Sequence, residues 1–218
     1  MKIHRKRNLW MAVVLLAGLA ASLAAEELSP VELPKPQTDG GKPLMQAIGL
    51  RATSRTFAPD PLPVQTLSNL LWAAWGINRP ETKKRTAPSA MNWQETDIYV
   101  VMEKGTYVYD ATAHVLKPAV AGDFRALTGK QDFVKEAPMT LVLVADLTRM
   151  GDAPVEMKTP TAWCDAAFIG QNVHLFCASE GLATGVRGNI DKPVLAAALK
   201  LGANQFVSFA MTVGFPKK

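Results

Sequence analysis

Apolar residues along this chain recur at two different intervals, and the switches between them divide it into helical and extended stretches. Leu67, Leu70, Leu71 and Ala74 follow the i, i+3, i+4, i+7 rhythm of a helix with one buried stripe, with Ser68 and Asn69 on the other side. Leu44 to Ala52 predicts a shorter helix before it. Gly76 to Ala87 is a polar connection containing Lys83-Lys84-Arg85. Asp97 to Met102 is rich in β-branched and aromatic residues and predicts a strand, and Gly105 turns the chain into Thr106 to Asp110 as the second arm of a hairpin. Leu141 to Ala145 is a continuous apolar run of the kind buried on both faces of a sheet. The longest helical pattern, Thr161 to Leu182, carries Ala166, Ile169, Val173, Phe176 and Cys177 on its apolar side, with Gly181 placed to end it. Asp191 is positioned to cap a helix reaching Leu201, with Pro193 in its first turn, and Phe206 to Val213 predicts a last strand. Strands and helices without regular βαβ alternation point to an α+β domain.

The start of the chain follows a different logic. Lys2, Arg5, Lys6 and Arg7 precede the apolar run Leu9 to Leu23 and the small residues Ala24-Ala25. That order is that of a secretory signal peptide, residues 1–25, and it predicts an exported or periplasmic protein. The run is shorter than the roughly 20 residues needed to span a bilayer, so no membrane association is expected once it is cleaved; an uncleaved leader kept as an anchor is the alternative reading. Residues 26–43 hold Pro30, Pro34, Pro36, Pro43 and Gly40-Gly41, and read as an extended tether with little to bury. Residues 44–218 remain as one domain of ordinary size.

Charge narrows the partners. The 218 residues include 24 Lys+Arg and 19 Asp+Glu, and the leader holds four of the basic residues and no acidic one, leaving 20 against 19. A nearly neutral body has no general field for nucleic acid. Cys164 and Cys177 fall in one predicted helix, about 20 Å apart at 1.5 Å per residue, which is beyond disulfide reach. His114 and His174 lack metal-ligand spacing, so no metal site is expected.

The candidate chemistry lies in two short segments. In Arg51-Ala52-Thr53-Ser54-Arg55-Thr56-Phe57, a helix would put Arg51 and Arg55 on one face, where both can meet a single anion. In Pro88-Ser89-Ala90-Met91-Asn92-Trp93-Gln94, small residues precede two carboxamides, which can both donate to and accept from the polar edge of a heterocycle. An anion clamp beside a ring-edge reader suggests a nucleotide-like cofactor.

These segments resemble the FMN-dependent nitroreductases, in particular the short branch that includes the SagB-type azoline dehydrogenases. Arg51, Thr53, Arg55 and Phe57 fall in step with that branch's opening run, and Pro88, Ser89, Ala90, Asn92 and Gln94 with its second segment. Glu180-Gly181-Leu182 and Gly214-Phe215-Pro216 match its later motifs in order. The resemblance implies an antiparallel-rich mixed sheet wrapped by helices, a homodimer, and an FMN site at the dimer interface. It implies that Arg51 holds the phosphate with Thr53, and that Arg55 lies toward the ribityl chain and pyrimidine edge. Pro88, Ser89 and Ala90 would let backbone approach the ribityl chain, Asn92 would bond the flavin ring, and Gln94 would orient Asn92 or meet ribityl hydroxyls. The backbone at Gly185 would pass beside the reactive flavin nitrogen, and Arg187 suits either a substrate or phosphate contact or a salt bridge at the dimer surface.

The implied activity is hydride transfer through FMN from a small-molecule donor such as NAD(P)H to an electron-poor acceptor such as a nitroaromatic or quinone. Two other readings stay open: a flavin-dependent dehydrogenase of a peptide or small metabolite, and a non-catalytic exported ligand-binding module. No Lys-Tyr dipeptide of the azoline dehydrogenases occurs in the chain.

Overall fold

The computed structural model describes residues 28–217, so the predicted signal peptide, residues 1–25, lies outside the described residues. The chain runs β1 (Val31–Glu32), α1 (Leu44–Leu50), α2 (Val64–Trp75), β2 (Ile77–Arg79), β3 (Lys84–Arg85), β4 (Thr96–Met102), β5 (Gly105–Asp110), β6 (Val115–Ala121), β7 (Met139–Asp146), α3 (Val155–Glu180), β8 (Ala183–Arg187), α4 (Lys192–Ala198) and β9 (Gln205–Gly214). Seven strands form one sheet in the order β1-β6-β5-β4-β7-β9-β8, while β2 and β3 pair separately. Every pairing in the large sheet is antiparallel, so the α+β expectation holds, with an antiparallel rather than a mixed sheet.

Burial explains the order. β7 is an interior strand between β4 and β9, and Met139 through Ala145 are all buried, because both of its faces are covered. On one face Leu141 and Leu143 pack with Leu70, Leu71 and Ala74 of α2 and with Ala166, Ile169, Val173 and Cys177 of α3. On the other, Val142 and Val144 pack with Leu195 of α4 and with Leu199. Gly181 ends α3 in the left-handed conformation (φ 71°), and Asp191 caps α4 by accepting from the Val194 amide at 3.3 Å. α4 stops at Ala198, three residues before the expected Leu201.

Three differences from the sequence reading matter for the site. The helix predicted to reach Ala52 ends at Leu50, and residues 51–56 continue as extended chain. Ser68 is buried rather than outward, because its Oγ lies 2.5 Å from the Pro34 carbonyl and 2.7 Å from His114 Nε2. The segment read as a tether is therefore laid onto the domain where it is described: β1 pairs with β6, and Leu33 is buried.

Candidate functional site

The first candidate segment is shaped by what stops α1. Arg51 still donates its amide to the Ala47 carbonyl at 2.9 Å, but its backbone has turned out of the helix (ψ 118°). Ser54 then donates to the Thr184 carbonyl at 2.8 Å, and Ala58 to the Phe215 carbonyl at 2.9 Å, so the segment lies along β8 and the end of β9. A Cβ at Gly185 would sit 2.8 Å from the Ser54 carbonyl oxygen, which is why only glycine fits there. The close approach that Gly185 permits is thus to the chain's own backbone. Arg51 and Arg55 share no helical face. Arg51 and Thr53 line a cavity of about 360 Å³ whose other walls include Gly170, His174, Val186 and Phe209, and Arg55 is exposed outside that lining.

The second segment is a strained turn held by buried anchors. Met91, Asn92 and Gln94 all have positive φ (51°, 57° and 49°), a conformation that costs each non-glycine residue roughly 1 kcal/mol or more. Ser89 Oγ accepts from the Gln94 amide at 2.8 Å, and Asp165 of α3 accepts from the Ala90 amide at 2.8 Å. Arg85 donates to Gln94 Oε1 at 2.7 Å and to the Trp75 carbonyl at 3.1 Å, with its guanidinium 5.1 Å from the Trp75 ring centre. Gln94 in turn donates to Asn92 Oδ1 at 3.0 Å. Gln94 is therefore bonded to Asn92 on one side and to Arg85 on the other, and Arg85 belongs to the scaffold of this turn. Pro88, Ser89 and Asn92 line a second cavity, of about 530 Å³, with Arg79, Lys84 and Arg85. No cavity described holds both Arg51 and Asn92.

Glu95, next to this turn, was not expected from sequence. It is fully buried, accepts from Ser89 Oγ at 3.3 Å, and its Oε1 has no partner. Burial, with a smaller contribution from the nearby Asp165 carboxylate, holds the Glu95 carboxyl above the ordinary carboxylate range. The folded chain then binds this proton more tightly than the unfolded chain, so stability is greatest below the unfolded-state value and declines as pH rises through the folded-state one. As pH rises from the unfolded-state value through the folded-state one, the wild type should lose stability relative to Glu95→Gln in denaturant melts. Parallel pH profiles for the two proteins would contradict this.

Arg187 requires a correction. It is buried, donates to the Thr128 carbonyl at 2.9 Å and Thr128 Oγ1 at 3.0 Å, bonds Thr212 Oγ1, and lies 5.8 Å from the Phe133 ring centre. Its ion pairs with carboxylates number none among the described residues, and burial pushes its pKa down to about 10. β8 alternates its side chains, so Val186 faces the Arg51 cavity while Arg187 points to the opposite side of the sheet. It is a structural pin for the segment around Thr128, neither a substrate contact nor a surface salt bridge.

His174, which the sequence offered only as a residue without metal-ligand spacing, lines the Arg51 cavity. The available signal was the pair Gln171 and His174, polar residues three apart on α3, with Asn172 between them turned to the Ala73 carbonyl instead.

Comparison with known proteins agrees with this geometry. The sequence profile of the Nitroreductase family matches residues 48–215. A putative nitroreductase from Ralstonia eutropha JMP134 superposes with a TM-score of 0.84 at 37% identity, over 89% of this chain and 92% of that one. A curated relative, a putative nitroreductase from Methanocaldococcus jannaschii, is 28% identical over 144 residues, 62% of this chain and 72% of its own. A structure from Staphylococcus epidermidis described as a putative NAD(P)H:FMN oxidoreductase shares the fold at 13% identity, with a TM-score of 0.63 over 84% of this chain and 92% of that one. An antiparallel α+β core, motif segments laid at two cavities, and a family match over most of its length lead to one conclusion: this chain belongs to the nitroreductase family and is a flavin oxidoreductase of that type.

Proposed function

We propose that this chain is an exported, FMN-dependent oxidoreductase that works as a homodimer, each flavin lying between residues 51–55 of one subunit and residues 88–94 of the other. The observation that carries this reading is the split of the two motif segments between separate cavities. Each half-site is bordered by apolar groups left in solvent: Val186 is 46% exposed beside Arg51, and Met91 is 81% exposed beside Asn92. α1, next to Arg51, also exposes Leu44, Met45, Ile48 and Leu50. A two-fold axis that sets one kind of half-site against the other completes two sites at once and covers such surface.

The residues suit FMN. Arg51 and Thr53 in the wall of a largely apolar cavity can hold a phosphate dianion, while Val186 and Phe209 supply apolar wall for a ring. From the partner, Asn92, held at its carbonyl by Gln94, would offer its amide N–H to the ring edge, and Ser89 and Ala90 would bring backbone beside the ribityl chain. Arg55 would set positive charge toward the pyrimidine edge. FMN, when bound, would supply the redox chemistry, taking a hydride from a reduced donor such as NAD(P)H and passing it to a nitroaromatic or quinone. Closure of the two subunits would exclude water from that exchange.

Purified protein is expected to be yellow, to release FMN on mild denaturation, and to lose flavin absorbance when NADH or NADPH is added without oxygen. A colourless protein that takes up no added FMN would refute the reading. Bleaching by neither nicotinamide, in a protein that does hold FMN, would refute the donor alone.

A further inference from the structure

We infer that His174 is a ligand for the phosphate of the bound flavin nucleotide, donating from its imidazole to the same dianion that Arg51 and Thr53 grip. This deepens the flavin reading above and rests on it. His174 sits on α3 one turn beyond Gly170, and it shares the wall of the 360 Å³ cavity with Arg51, Thr53 and Gln171. The cavity exists beside it because α3 presents small residues there, Ala166, Ala167 and Gly170. The side chain is 6% exposed, and its Nδ1 has no hydrogen-bond partner among the described residues.

A buried imidazole nitrogen without a partner is unfavourable, and the cost disappears if a ligand accepts its proton. The contrast with His114 is direct: that ring meets Ser68, Tyr109 and the Pro34 carbonyl and is fully explained by them. His174 has no such explanation among the described residues. Its surroundings favour an anion. Burial first, and then the charge of Arg51, hold its pKa below the ordinary histidine value, so the ring is neutral before a ligand arrives. Arg51 is the charged group that bears on it. Gln171, Gly170, Val186 and Phe209 carry no charge, and α1 and α2, which also pack on α3, contain no ionisable residue. A phosphate dianion between Arg51 and His174 reverses the balance and favours the imidazolium, so binding should take up a proton near neutral pH.

The test compares FMN with riboflavin, which lacks the phosphate, by fluorescence titration of the full chain as wild type, His174→Gln and His174→Phe. Thermal melts of each protein check that it is folded. Loss of a charge-assisted hydrogen bond should weaken FMN about tenfold to a hundredfold in both variants, with riboflavin affinity unchanged. The wild-type preference for FMN over riboflavin should grow from pH 8 to pH 6.5, and His174→Gln should lose that growth. Equal losses for FMN and riboflavin, or no loss for either, would overturn the inference while leaving the flavin reading in place. A wild type that binds FMN no better than riboflavin would also overturn it. A wild type that binds neither flavin would instead overturn the flavin reading itself.

Discussion

Co-expressing Arg51→Ala and Asn92→Ala chains is expected to restore flavin binding to about a quarter of the wild-type sites, although neither variant alone retains flavin. Arg51→Ala removes a guanidinium that meets the dianion with charge-assisted hydrogen bonds, each worth about 1.5–3 kcal/mol, so FMN affinity should fall about a hundredfold. Asn92→Ala removes the carboxamide that Gln94 holds in place, and it leaves Gln94 Nε2 with the Lys83 carbonyl as its remaining partner. In a homodimer of the proposed kind, each site draws one segment from each chain. Mixed dimers then contain one site with both lesions and one with neither, and random pairing makes about half of all dimers mixed. Flavin content after gel filtration reads the outcome. If each chain housed its own complete site, mixing would recover nothing, and the division of the motifs between two cavities would need another explanation.

Arg187→Ala is expected to lower stability by about 3 kcal/mol, and Arg187→Met by markedly less. The alanine variant leaves a cavity beside Phe133 and strips partners from the Thr128 carbonyl and from the hydroxyls of Thr128 and Thr212. Methionine refills most of the volume, so it restores the packing that alanine loses, while both variants remove the same hydrogen bonds and the same charge. The hydroxyls of Thr128 and Thr140 already lie 3.3 Å apart and can partner each other. For a domain of this size the alanine change corresponds to a melting temperature lower by roughly 6–12 °C. A loss for methionine as large as that for alanine would show that the hydrogen bonds, rather than the packing, dominate at this position.

Local pattern identified most of the framework. The stripe of Leu67, Leu70, Leu71 and Ala74 became α2, the apolar run around Leu143 became an interior strand buried on both faces, and Gly181 ended α3 as its position predicted. These succeed because period, burial and cap chemistry are properties of neighbours in sequence. β6 escaped the same reading, since Lys117 and Pro118 interrupt its alternation. The strand survives proline because the register with β5 shifts beside Tyr107, the residue opposite Pro118. β8 escaped because its glycine reads locally as a loop. Only its pairing with β9, and the Ser54 carbonyl pressed against Gly185, show why glycine stands in a strand.

The sequence alone determined the class of domain, the order of its motifs and the residue types that suit a flavin nucleotide. Tertiary structure decided how those residues are dealt out: Arg51 to a cavity under α3, Asn92 to a strained turn held by Gln94 and Arg85, and Arg187 to the far side of the sheet. It also drew Glu95, Asp165 and His174 into the neighbourhood of those motifs. The reason is physical. Residue type and spacing report what a side chain can do within a turn or two, but which distant segment lies across from it depends on strand pairing and on the burial of α3 against the sheet, which no local window contains.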